Sequence, residues 1–180
     1  MLSVIDPVTG DPVAGPGMPF LYLFETRPDT RTKHSLFGQI KHRIGRPVVD
    51  VSYRFMTDDW GVDSHTVEFR WRQPIGSTWY VQPHLRYYTQ SAADFYRPYL
   101  RNGDPLPDHA SADYRLGEMD ATTLGIKLGR PHEKEREWSI RVEHYRQSGR
   151  APPGAAFGSL EGLDLYPTVD ALISQFEYRF

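Results

Sequence analysis

The chain ends on a strict alternation: Leu172, Ser174, Phe176, Tyr178 and Phe180 fall on one side, and Ile173, Gln175, Glu177 and Arg179 on the other. That period of two is the signature of a β-strand. It recurs upstream and predicts strands over roughly 33–43, 48–56, 64–72, 78–89, 119–128, 137–146 and 169–180. In the last six, one face carries Val49, Val51, Tyr53, Phe55; His65, Val67, Phe69, Trp71; Trp79, Val81, Pro83, Leu85, Tyr87; Thr122, Leu124, Ile126, Leu128; Trp138, Ile140, Val142, His144; and the five terminal positions. None of these 26 residues is Asp, Glu, Lys or Arg. The opposite face carries Asp50, Arg54, Glu68, Arg70, Arg72, Arg86, Lys127, Arg141, Glu143, Glu177 and Arg179. The first strand is less regular: Leu36, Ile40 and Ile44 oppose Lys33, Ser35, Gln39 and Lys41, with Phe37 and His42 out of place.

Such segments suit either an antiparallel sandwich or a membrane barrel, whose strands also alternate apolar and polar positions. The connections favour the barrel. Counted back from Phe180, each of the links 129–136, 73–77 and 44–47 is shorter than its neighbours among the links 147–168, 90–118 and 57–63. Outer-membrane barrels pair short periplasmic turns with long extracellular loops in this way. Trp71, Trp79 and Trp138, with Tyr178 and Phe180, gather near the short turns, where an aromatic girdle belongs. The closing Phe180 resembles the terminal signal by which such strands are read during barrel assembly. The expectation is an all-β, antiparallel transmembrane β-barrel of outer-membrane type. Residues 1–31 form a Pro- and Gly-rich extracellular loop with a short strand-like Phe20–Phe24, and residues 32–180 supply about seven strands.

Composition narrows this reading. Mean hydropathy is -0.57 and no apolar run approaches the ~20 residues of a membrane helix. Net charge is -2 with pI near 6.4, against a nucleic-acid partner. With no cysteine, disulfides and thiolate chemistry are excluded. Met1–Asp6 lacks the basic start and apolar core of an export signal, so the expectation is a mature chain or a piece of a longer one.

Three stretches make the match more specific: Ser52-Tyr53-Arg54-Phe55-Met56-Thr57-Asp58-Asp59-Trp60-Gly61-Val62-Asp63-Ser64-His65-Thr66-Val67, Leu85-Arg86-Tyr87-Tyr88-Thr89-Gln90-Ser91-Ala92-Ala93-Asp94-Phe95-Tyr96, and Ala110-Ser111-Ala112-Asp113-Tyr114-Arg115-Leu116-Gly117. They resemble the bacterial outer-membrane family catalogued as domain of unknown function 3570, over nearly the whole chain. The resemblance implies a location in the Gram-negative outer membrane and a barrel architecture, without an established activity. Family members are roughly twice this length, which implies a C-terminal half; an odd strand count agrees, since bacterial barrels close on even numbers. Family genes often neighbour periplasmic flavin-transfer and thioredoxin-like proteins, which implies an envelope partner.

Asp58, Asp59, Asp63 and His65 lie within eight residues at the predicted rim. Clustered carboxylates suit a hard cation, and Asp with His can activate water. Asp and Gly also build tight turns, and the spacing matches no metal or catalytic motif, so a structural role is expected there. On the polar face, Arg54, Arg70, Arg72, Arg86, Arg141 and Arg179 alternate with Glu68, Glu143 and Glu177, as cross-strand ion pairs in a lumen would require. Were a pore left open, this arginine surplus would favour anions. The loop 90–118, with Phe95, Tyr96, Tyr99 and Leu100, is too apolar to hang in water; packing on neighbouring loops is expected, with a plug as the alternative. The function expected is that of a non-enzymatic, porin-like channel, transporter or envelope scaffold needing no cofactor. Its partners would be outer-membrane lipid and the barrel-assembly machinery that reads the last strand. A rim-site hydrolase and a soluble ligand-binding β-sandwich are the alternatives.

Overall fold

The computed structural model describes residues 1–17, 19–132, 136–151 and 154–180. A small sheet joins β1 (Leu2–Ile5) to β2 (Tyr22–Leu23) on one side and to β7 (Leu100–Arg101) on the other. The large sheet is an antiparallel array of β3 (Lys33–Arg43), β4 (Val48–Asp58), β5 (Asp63–Ile75), β6 (Trp79–Gln90), β8 (Met119–Pro131), β9 (Glu137–Gly149) and β10 (Val169–Arg179), in the order β10-β9-β8-β6-β5-β4-β3. All seven predicted strands are present, several of them longer than predicted.

The largest difference lies between β4 and β5. The predicted link 57–63 contracts to 59–62, because Asp58 and Asp63, which read as turn residues, continue the ladder. That connection is then no longer than 44–47, and only 91–118 and 150–168 are long. Gly45, Gly61 and Gly76 sit at positive φ (66°, 78° and 60°) in the tight turns 44–47, 59–62 and 76–78, a conformation open to glycine. The centre of the predicted link 129–136, residues 133–135, and residues 152–153 of the link 147–168 lie outside the described residues.

Register confirms a shared parity. Val51 pairs with Phe69, Phe69 with Leu85, Leu85 with Leu124, Leu124 with His144 and His144 with Leu172, so one face is continuous from β4 to β10. Leu36 and Ile40 of β3 join it opposite Phe55 and Val51, whereas Phe37 falls on the polar side opposite Arg54. The ladder between β5 and β6 skips Trp71 and Arg72 beside Pro83, which has no N–H to give.

No second layer covers the apolar face among the described residues. Leu172 is 75% exposed, Ile40 73%, Phe176 68% and Leu124 55%. The sheet instead curls around its polar face, since Phe37 of β3 and Ile173 of β10 line the same cavity. It is not closed: β3 and β10 are not paired with each other among the described residues.

Buried apolar side chains collect at one end. Val62, Ala93, Phe95, Tyr96 and Leu116 form a cluster backed by Met56, Trp60, Ala92 and Tyr166. Residues 1–17 and 19–31 fold over the same end, with Thr26 and Ala110 exchanging backbone hydrogen bonds at 3.0 Å and Ser159 N–H donating to Thr9 at 2.9 Å. The loop 90–118 thus packs on its neighbours. Sequence analysis missed β1 and its parallel pairing with β7, and Phe20–Phe24 shrinks to the two-residue β2.

The polar face holds one deeply buried aromatic, Tyr80, at 2% exposure. It lies opposite Gly129, where a Cβ would overlap its ring. Arg72 covers Tyr80 at 3.6 Å from the ring centroid, and its hydroxyl donates to Glu137. Gly129→Ala should therefore expel the ring at a cost of about 1–3 kcal/mol. Urea unfolding should show the double variant with Tyr80→Ala to be less destabilised than the sum of the two single ones.

Candidate functional site

The ladders determine which polar side chains meet. Glu68 of β5, His84 of β6 and Glu143 of β9 converge on the concave face, where Gly125 between them leaves room for the Glu143 side chain. His84 Nε2 lies 2.7 Å from Glu68 Oε1 and Nδ1 lies 2.7 Å from Glu143 Oε1, with the imidazole side chain only 10% exposed. Both nitrogens can donate at once only in the imidazolium form. Arg70 also donates to Glu68, and Arg141 lies 3.8 Å from Glu143.

This network holds most of the residues predicted for the polar face. Arg54, Glu68, Arg86 and Glu143 line a cavity of about 380 Å³, and Arg70, Arg72, Arg141 and Arg179 line a second of about 640 Å³. Glu177 stands near the second, 3.2 Å from Lys127 and 3.7 Å from Arg179. Sequence reasoning missed His84, Tyr80 and Glu137. Parity alone points to His84, which lies between Gln82 and Arg86 on the polar side of its strand.

The rim residues divide into two pairs, with Asp63 and His65 lining one shallow pocket beside Ser91 and Glu118, and Asp58 and Asp59 engaged in the turn. Asp58, whose side chain is fully buried, accepts Arg31 Nε at 2.8 Å and the backbone N–H groups of Trp60 and Val62 at 3.0 Å. Asp59 accepts Thr32 N–H at 2.9 Å. The backbone N–H of Asp63 donates to Ser91 Oγ at 2.9 Å. His65 lies on the apolar side, its Nδ1 2.7 Å from the Tyr53 hydroxyl. Among the described residues no three His, Asp or Glu side chains are placed to share a metal ion. Trp60, packed edge-on against Phe95 with ring centroids 5.1 Å apart, covers this turn.

At the other end, the aromatic residues meet in part. Trp79 and Trp138 form an edge-to-face pair at 5.0 Å, and Trp138 is the cross-strand partner of Tyr178. Tyr178 and Phe180 stack at 6.3 Å. Trp71 stands two same-face positions before Ile75, the partner of Trp79, along β5.

In the loop cap, Asp113 accepts Arg115 through Nε at 2.9 Å and Nη2 at 2.7 Å, and Arg27 at 3.2 Å. The Arg115 guanidinium, chief among these, holds the Asp113 carboxyl at about 2, below its ordinary 3.8. Hydrogen bonding from Ser111 likewise lowers Glu25, while burial pushes the Tyr96 hydroxyl up to about 12.

Two outcomes follow from these geometries. Asp58→Ala strands Arg31 and two N–H groups in a buried turn, at a cost of about 2–4 kcal/mol by thermal unfolding. In the wild type, calcium or zinc should leave the melting temperature unchanged, because the Asp58 oxygens are already engaged; a ligand at about 100 times its Kd would add about 2.7 kcal/mol. Acid should act on the cap instead. The folded-state pKa of Asp113 lies below its ordinary value, so its contribution is complete above about pH 4 and disappears as pH falls towards 2. Amide exchange at Arg115 and Leu116, corrected for intrinsic rates, should show protection holding at pH 4 and failing near pH 2.

No curated protein and no solved structure matches the chain. A family model described as "Protein of unknown function (DUF3570)" matches residues 3–180. With all but the first two residues inside that match, the chain belongs to the DUF3570 family.

Proposed function

We propose that this chain is a wall of a bacterial outer-membrane β-barrel, with its apolar face in lipid and its polar face lining a lumen, and that its role is transport or scaffolding without catalysis. The observation that carries this reading is the uncovered apolar face. A soluble monomer rarely leaves more than a few hundred Å² of contiguous apolar surface in water, and here the face runs across seven strands. Each strand has 11 to 13 residues, enough for the roughly 9–11 that a tilted strand needs to cross a bilayer.

Charge on that face supports the same placement. At apolar parity, Asp63, Asp120, Arg146 and Asp170 stand at the strand ends next to the cap, and Arg130 stands at the other end. Between them the face is uncharged, as a hydrocarbon band requires. The polar cavities, the aromatic group at Trp79, Trp138 and Tyr178, and the loop cap then correspond to lumen, periplasmic girdle and extracellular surface. The terminal strand through Phe180 would be what the assembly machinery engages. The open edges of β3 and β10 demand pairing in lipid, where no water can satisfy them. A role without catalysis fits a rim whose Asp58 and Asp59 oxygens are committed to the turn.

Val51→Arg or Leu124→Arg places a charge in the middle of the proposed lipid face and should cost roughly 2–4 kcal/mol. Urea titration of protein refolded in lipid vesicles measures it, with membrane fractionation and heat-modifiable gel mobility as companion assays. Neutral effects at both positions would remove this face from the bilayer.

A further inference from the structure

We propose that the second concave cavity is a binding site for a soluble multivalent oxyanion, carrying phosphoryl or several carboxylate groups; this rests on the polar face being a lumen open to solutes. The cavity, about 640 Å³, is lined by Lys41, Arg70, Arg72, Lys127, Arg141 and Arg179 against one carboxylate, Asp50. Asp50 accepts Gln39 Nε2 at 2.7 Å.

Register makes the imbalance systematic. One row along the hydrogen-bonding direction runs from Arg43 through Val48 to Arg72, and resumes with Gln82, Lys127, Arg141 and Gln175. It holds four cations and two amides and no carboxylate. The carboxylates of Glu137 and Glu177 stand to one side of that row and those of Glu68 and Glu143 to the other, so the cavity lies between acidic flanks with its own centre cationic.

The pairing across those flanks is incomplete. Arg70 is paired with Glu68, Arg72 reaches Glu137 at 3.4 Å, Lys127 reaches Glu177 at 3.2 Å, and Arg179 lies 3.7 Å from the same Glu177. Arg141 comes only to 3.8 Å from Glu143, beyond a hydrogen bond, and Lys41 stands opposite Asp50, whose Oδ1 accepts Gln39 instead. Cations drawn together in a walled space repel one another unless a counter-charge joins them, and low-dielectric walls strengthen both effects. Planar guanidinium groups from different strands suit oxygens of one ligand in bidentate fashion. A monovalent ion meets the cations of one strand at a time; a polyvalent oxyanion spans several strands at once.

The test is calorimetric titration of the purified protein in detergent micelles with sodium pyrophosphate at low ionic strength, with sodium chloride as the comparison. Saturable one-to-one binding of pyrophosphate, without a chloride counterpart, is expected. Arg141→Gln and Lys41→Gln should each weaken it about tenfold, whereas Arg141→Lys keeps the charge and most of the affinity. Arg97→Gln, in the loop cap, should bind as wild type. Lys41 carries no ion pair among the described residues and Arg141 only the 3.8 Å approach to Glu143, so variants at these two positions should melt close to the parent, and a matched fall in melting temperature would assign the residue to structure instead. Equal binding by wild type and Arg141→Gln, or no binding, overturns the site. Vesicle insertion and heat-modifiable mobility of the same preparation separate the two readings: inserted protein that ignores pyrophosphate refutes the anion site alone, and binding by protein that does not insert refutes the lipid-facing wall alone.

Discussion

The backbone ladder is the interaction on which everything else here depends. A sheet with one face bare and the other lined by ionic side chains gains little from packing between layers, so its strands are held by the backbone bonds between them. Six antiparallel ladders, from Lys33↔Asp58 at one edge to Arg179↔Glu137 at the other, fix the alignment of every side chain on both faces. Parity follows directly: a slip of one residue in any ladder would move Val51 or Leu124 inward and Arg70 or Arg141 outward. The ionic network and the apolar face are thus two products of a single register.

That constraint explains why much of the fold was legible in the sequence. Alternation is local, and it marked all seven long strands and the face of every residue predicted for the polar side. It also marked Phe37 as irregular, and the structure gives that residue a use, with Arg54 over its ring at 5.3 Å. Local pattern failed where partners are remote. β1 and β7 are four and two residues long, lie almost a hundred positions apart, and carry no signal strong enough to read alone. Asp58 and Asp63 misled for the opposite reason, since turn-forming residue types there occupy the last rungs of a ladder.

The candidate site was half legible in the same way. Alternation could place Glu68, His84 and Glu143 on one side; it could not show that His84 would stand between the two carboxylates. That depends on the register of three ladders together, and on Gly125 leaving space for Glu143. The rim cluster failed as a cluster because Asp58 and Asp59 are committed to the turn, whereas Asp63 and His65 leave it on the apolar-parity side of β5, His65 against Tyr53. Proximity in sequence was misleading there, because the turn divides the four residues between two strands with different partners.

The cap has a consequence for the order of assembly. Each long ladder joins strands that follow one another along the chain, so the sheet can grow by adding neighbours. The cap closes through contacts such as Val4 with Leu100 and Gly10 beside Ser159, whose sequence separation is large and whose chain-closure entropy is correspondingly costly. Those contacts gain most once the sheet has already brought the loop bases together. The end of the molecule with the most buried apolar side chains is therefore the end whose closure depends most on the ladders having formed first.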